Sequence, residues 1–249
     1  MVKWLLLLLI SAPAMAYEFT IDFKNGFYWA NLPISISVSE GNANRKAKLE
    51  TLSKSAISVW EQSTGLKIWD YSSGTRNVIR WSTNFEAETR MSSSTTLAVA
   101  IRYTSGPYFA KTEIVLNGNH PMLDDSRGFS TDSAVFKTLI HELGHTMGLD
   151  HDQWNQNAVM YPSLDTVHFV RLDSSDIDGM QAAHQQMMDW QLERYVSPLA
   201  YENNQVSSSP MSCASAGLVA QGGSGLSGLA SLIGGILISF IRKIKSLFK

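Results

Sequence analysis

The run His141-Glu142-Leu143-Gly144-His145-Thr146-Met147-Gly148-Leu149-Asp150-His151 constrains this chain more than any other stretch. Residues four apart share one face of an α-helix, so a helix here aims the imidazoles of His141 and His145 at one point. Gly148 follows three residues after His145 and can take the left-handed backbone that ends a helix and turns the chain back. That turn brings His151 round as a third nitrogen donor. Three protein ligands with an open fourth position make a catalytic zinc site, whereas structural zinc is closed by four ligands and is rich in cysteine. The 249-residue chain has one cysteine. Glu142, beside the first ligand, is placed to take a proton from the attacking water rather than to bind metal. An HExxH match arises by chance in roughly one chain in a hundred of this length, as an ordinary solvated helix face. The glycine and third histidine lower that chance to about one in several tens of thousands, which favours the metal site.

Downstream, Ala158-Val159-Met160-Tyr161-Pro162 supplies a methionine turn. HExxHxxGxxH followed by such a turn resembles the metzincin zinc metalloproteases. Within them the chain resembles the matrixins, the matrix-metalloprotease family. Met160 is followed directly by Tyr161 and Pro162, and Asp176-Ile177-Asp178-Gly179 is similar to that family's final helix. Astacins and serralysins place a tyrosine two residues after the methionine. That position is Pro162 here, so no zinc-binding or oxyanion-stabilising role passes to Tyr161. The resemblance spans about Phe27 to Gln186 and is strongest after Ser133. It implies an α+β metzincin zincin fold: a mixed twisted sheet with an active-site helix and a closing C-terminal helix. It also implies a zinc-dependent endopeptidase acting on extended protein or peptide substrates. In that reading His141, His145 and His151 hold one catalytic Zn2+, Glu142 is the general base, and Met160 is an apolar floor beneath the ligands. The competing reading is a non-catalytic, zinc-stabilised surface binding module, and intact Glu142 argues against it.

Periodicity locates the elements around this motif. Ile34 to Val38 alternates apolar and polar residues and predicts a strand, followed by a turn at Gly41 and Asn42. Leu49, Leu52, Ala56, Val59 and Trp60 recur at helical spacing and predict a helix over Arg45 to Gln62, ending before Gly65, with Trp60 in the core. Short strands are expected at Lys67 to Asp70, Val78 to Ser82, Leu97 to Tyr103 and Thr112 to Leu116. The zinc helix is expected over Ala134 to Met147, burying Val135, Leu139 and Leu143. Ser174 to Met188 then closes the domain, with Asp176 and Asp178 favouring the positive end of its dipole.

The resemblance places Leu97 to Ile101 at the sheet edge beside the catalytic cleft. An extended peptide adds to such an edge by main-chain hydrogen bonds, which makes Leu97, Ala98 and Val99 candidate substrate contacts. Ser163 to Asp173 corresponds to the loop that walls the pocket beyond the scissile bond, with Val167 and Phe169 as candidate wall residues; ordinary loop packing is the alternative. His120, His168 and His184 are assigned no metal, because lone histidines usually serve as hydrogen-bonding groups. Matrixins also build a structural zinc site from a histidine and aspartate cluster, and too few histidines lie between Trp81 and Phe136 to supply one. Asp124 and Asp125 offer oxygens to calcium, but two acids in a turn are more often solvated, so calcium is not expected.

With 44 % apolar residues and a net charge of -2, the chain can bury one sizeable core and has no polyanion-binding character, so nucleic acid is not an expected partner. Met1 to Ala16 reads as a signal peptide: Lys3, the apolar run Trp4 to Ile10, then Ala14-Met15-Ala16 as a cleavage site. The run falls well short of the roughly 20 residues of a spanning helix. Export and an extracellular or cell-surface location are therefore expected. The metalloprotease domain is expected over 17–195, a flexible linker over 196–212, and an anchor or sorting tail over 213–249. Ala214 to Ile241 carries no charge, and Arg242, Lys243, Lys245 and Lys249 follow it, so the tail suits a membrane span with a cytoplasmic basic end. The alternative is an amphipathic helix lying on a surface. Cys213 cannot form an intrachain disulfide, and its position before the tail suits processing or lipid attachment. Its setting, Met211-Ser212-Cys213-Ala214, lacks the matrixin pro-region motif. Either no zymogen stage or control through export, localisation or a separate inhibitor is therefore expected. Nothing in the sequence specifies an oligomeric state or names a substrate.

Overall fold

The computed structural model describes residues 17–123, 134–164, 171–201 and 211–214. Asp124, Asp125, Val167, His168 and Phe169 lie outside the described residues, as do the signal segment, most of the linker and most of the tail. The first elements among the described residues are a short helix, α1 (Ile21–Lys24), and a two-residue strand, β1 (Tyr28–Trp29). The alternating segment becomes β2 (Ile34–Ser39), with Ile34, Ile36 and Val38 buried. Helix α2 (Ala43–Thr64) starts where the Asn42 side chain accepts a hydrogen bond from the Arg45 N–H. It stops at Gly65, whose φ of 72° makes it a left-handed cap. Leu49, Leu52, Ala56 and Trp60 form its buried stripe.

Three strands and a short helix follow: β3 (Trp69–Tyr71), β4 (Val78–Ser82), α3 (Phe85–Thr89) and β5 (Thr96–Ser105). Then come β6 (Tyr108–Asn117), α4 (Ala134–Thr146), α5 (Ser174–Glu193) and β7 (Met211–Ala214). The sheet runs β3-β2-β4-β6-β5-β7, with β1 pairing the start of β6. The pairs β2–β3, β2–β4 and β4–β6 are parallel, while β5 is antiparallel to β6. The sheet is thus mixed, as expected for a metzincin, and α2 and α4 pack together over a shared core that includes Trp60, Trp69 and Leu139.

Strand β5, expected at the sheet edge, is flanked on both sides in this sheet. Strand β7 pairs antiparallel with β5, matching Ala98 to Cys213, Val99 to Ser212 and Ala100 to Met211. The expected linker and tail meet inside this strand. No helix among the described residues is long and apolar enough to cross a membrane.

Candidate metal centre

Helix α4 carries His141, Glu142 and His145, all completely buried. Three indoles fix its carbonyl end. Trp60 Nε1 donates to the Ile140 carbonyl at 2.8 Å, Trp29 Nε1 to the Thr146 carbonyl at 2.8 Å, and Trp69 Nε1 to Thr146 Oγ1 at 3.1 Å. The helix then ends in a tight turn at Gly148, whose φ of +89° is the left-handed region. A side chain there would bring Cβ within 2.7 Å of the Phe23 ring, so the position excludes one on two grounds. Outside the turn, Thr20 N donates to the Gly148 carbonyl and Asp150 N to the Glu18 carbonyl. The N-terminal segment therefore clamps the connection that delivers His151.

The three imidazoles converge. His141 Nε2 lies 3.0 Å from His145 Nε2 and 3.2 Å from His151 Nε2. His141 Nδ1 is 2.7 Å from the Val159 carbonyl and His145 Nδ1 is 2.8 Å from the Leu149 carbonyl. A carbonyl only accepts, so each Nδ1 carries the proton and each Nε2 presents its lone pair to the centre. Burial, with the neighbouring His151, pushes the His141 pKa down to about 3. Burial and the charges of His141 and His151 push His145 well below its usual value. Both rings are therefore neutral at neutral pH, which is the form that binds metal. Lone pairs facing one another at such distances repel unless a cation lies among them. The donor set fits Zn2+, with His141, His145 and His151 as its ligands.

Met160 packs against the ligand helix. A Cβ built on Gly144 would overlap the Met160 Sδ and lie 3.2 Å from both Met160 Cε and Trp60 Cζ2, so the bare glycine lets the thioether pack against the ligand helix. The turn itself is held from α5. Asp176 accepts from Val159 N at 2.8 Å and Met160 N at 3.0 Å, and the Val159 carbonyl in turn receives His141 Nδ1. Asp176 was legible as a residue suited to a helix N-terminus and as part of the stretch similar to the matrixin final helix; its contact with the methionine turn needed the fold.

Two further supports escaped the sequence reading. Arg102 on β5 is fully buried and donates to both Asp22 oxygens, Nε at 2.9 Å and Nη2 at 2.7 Å. Its Nη1 donates to the His145 carbonyl. The pair thus joins β5, the first helix and the metal helix. The only sequence signal was an arginine in an otherwise apolar strand.

Leu97, Ala98 and Val99 are buried in β5, and β7 covers that strand on the side away from β6 while also touching α4. His120 is buried, and its Nδ1 accepts from Met122 N. His184 lies on α5. Among the described residues, His141, His145 and His151 are the only group of three or more metal-type donors brought together.

A helix bearing two imidazoles and a carboxylate, a left-handed turn to a third imidazole, and a methionine beneath them define a metzincin zinc site. The sequence profile of the matrixins matches residues 28–185, more than half of the chain, and the chain belongs to the matrixin family. Stromelysin-1 of Rattus norvegicus is 30 % identical over 136 residues, covering 52 % of this chain and 27 % of that protein. Interstitial collagenase of Sus scrofa is 40 % identical over 53 residues, covering 21 % of this chain and 11 % of the relative. The chain thus matches 27 % or less of the length of these relatives.

Proposed function

We propose that this matrixin chain is a zinc-dependent endopeptidase that hydrolyses peptide bonds of extended protein or peptide segments. The observation that carries the reading is the convergence of three Nε2 atoms beside a buried glutamate on the same helix. Zinc, when bound, polarises the scissile carbonyl and acidifies water. His141 and His145 are held for it by the carbonyls of Val159 and Leu149. Glu142 accepts the proton of the attacking water and returns it to the leaving amine. The substrate backbone lies along Leu97, Ala98 and Val99 of β5, and Val167 and Phe169, outside the described residues, are the wall residues that the family resemblance implies. Export through Met1 to Ala16 and retention by the apolar tail belong to the same proposal. The relatives' names support proteolysis, since one is a collagenase.

The test is zinc content and quenched-peptide cleavage by the segment Tyr17 to Ser209 beside its Glu142→Ala variant. Equal zinc in both, with turnover reduced about 10²- to 10⁴-fold in the variant, is the expected result. Zinc without cleavage in either, across a broad peptide library, overturns the protease reading and leaves the non-catalytic binding module.

A further inference from the structure

We propose that the chain's own segment Met211–Ala214 is the resident occupant of the cleft edge and blocks it against substrate. The inference rests on the reading of β5 as the substrate strand. Without β7, β5 would end the sheet and present a row of unpaired main-chain groups, which is the surface an extended peptide adds to. The structure fills that row with Met211–Ala214, paired antiparallel to Thr96, Ala98, Val99 and Ala100. Strand β7 also runs beside α4, the helix that carries His141, Glu142 and His145. Strand β7 therefore lies against both the proposed substrate strand and the metal helix.

The segment lies beyond the matrixin match, which ends at residue 185. It has no charge and no proline, so it can pair along its whole length. A tethered occupant competes at an effective concentration on the order of millimolar, comparable to or above typical KM values of about 1 μM to 1 mM. Even a four-residue strand therefore suppresses turnover of a dilute substrate. Withdrawal of the segment opens the cleft.

The experiment compares the full chain, kept dispersed in mild detergent, with its Ser212→Pro/Cys213→Pro variant. The prolines remove two main-chain donors from β7 and lie outside the matched domain. Two readouts are taken on each protein. Hydrogen exchange of the Thr96 to Ala100 amides reports the pairing without requiring activity, and kcat/KM on a quenched peptide reports the block. The expected result is at least about tenfold faster exchange in the variant and a comparable rise in kcat/KM carried by KM. A synthetic peptide of residues 207–217 then inhibits the variant competitively. Equal exchange in both proteins overturns the pairing. Faster exchange with unchanged kcat/KM places β7 outside the substrate path and overturns the block. Faster exchange with no cleavage by either protein, each loaded with zinc, overturns the protease reading and the block with it.

Discussion

A single methyl group at Gly144 would meet the Met160 sulfur, so the metal helix and its methionine floor are in contact with nothing to spare. Gly144→Ala is expected to destabilise the fold by about 1 to 3 kcal/mol, the usual range for overpacking a filled site. Urea unfolding reads that loss, and equilibrium dialysis reads the accompanying fall in zinc affinity as Met160 is displaced. Arg102 and Asp22 form a different kind of contact, a buried ion pair whose members have no water to fall back on. Arg102→Met leaves the Asp22 carboxylate buried without its counterion and is expected to cost about 3 to 5 kcal/mol. Replacing both, as Arg102→Met with Asp22→Leu, is expected to recover much of that loss. Denaturation midpoints of the two variants check it; equal losses in both would show that packing, not charge, governs this site.

Helix α5 depends on its first turn. Asp173 accepts from the Ser175 N–H, while Asp176 accepts from the Asp173 N–H, completing a capping box. Burial alone would raise the Asp173 pKa, but the Ser175 N–H and the Asn155 side-chain amide outweigh it and hold the group below its ordinary 3.8. A carboxyl lowered in the folded state adds stability that is complete above the unfolded value and is lost as pH falls through the folded one. Asp173→Ala is expected to cost about 1 kcal/mol at neutral pH. Its difference from the unmutated protein should persist down to the ordinary carboxyl range and narrow only below it, which chemical denaturation at several pH values measures. The longer elements were legible because they repeat. Helix α2 has several turns of spaced apolar residues between Asn42 and Gly65, and β2 alternates cleanly. The elements α1, β1 and α3 span four, two and five residues, too short to complete a recognisable period.

Across the whole molecule, zinc acts as a ligand of the folded state. It draws together a helix, a turn and the loop leading to Met160, and His145 is further tied through its carbonyl to Arg102 and so to β5. Chelation is expected to lower stability by about 4 kcal/mol when free zinc had been a thousandfold above its Kd. Thermal unfolding with and without a chelator gives the shift, and re-addition of zinc should restore it. An unchanged midpoint would mean that the three imidazoles do not hold metal tightly.

The ligands His141, His145 and His151 and the Gly148 turn could be read from the chain, because their geometry is set by local spacing along one helix and one turn, whereas the place given to Met160 came from the family resemblance. The extent of α2 was readable to within two residues at each end for the same reason of local spacing: Arg45 to Gln62 was expected and Ala43–Thr64 is helical. Contacts between residues far apart in sequence were decided only by the tertiary structure. Asp22 finds Arg102 eighty residues on, and Asp176 reaches back to Val159 and Met160. Strand β7 shows the limit most plainly: its four residues pair with β5 across more than a hundred positions. Nothing local distinguishes Met211–Ala214 from a linker, because a strand that short draws its hydrogen bonds from its partner.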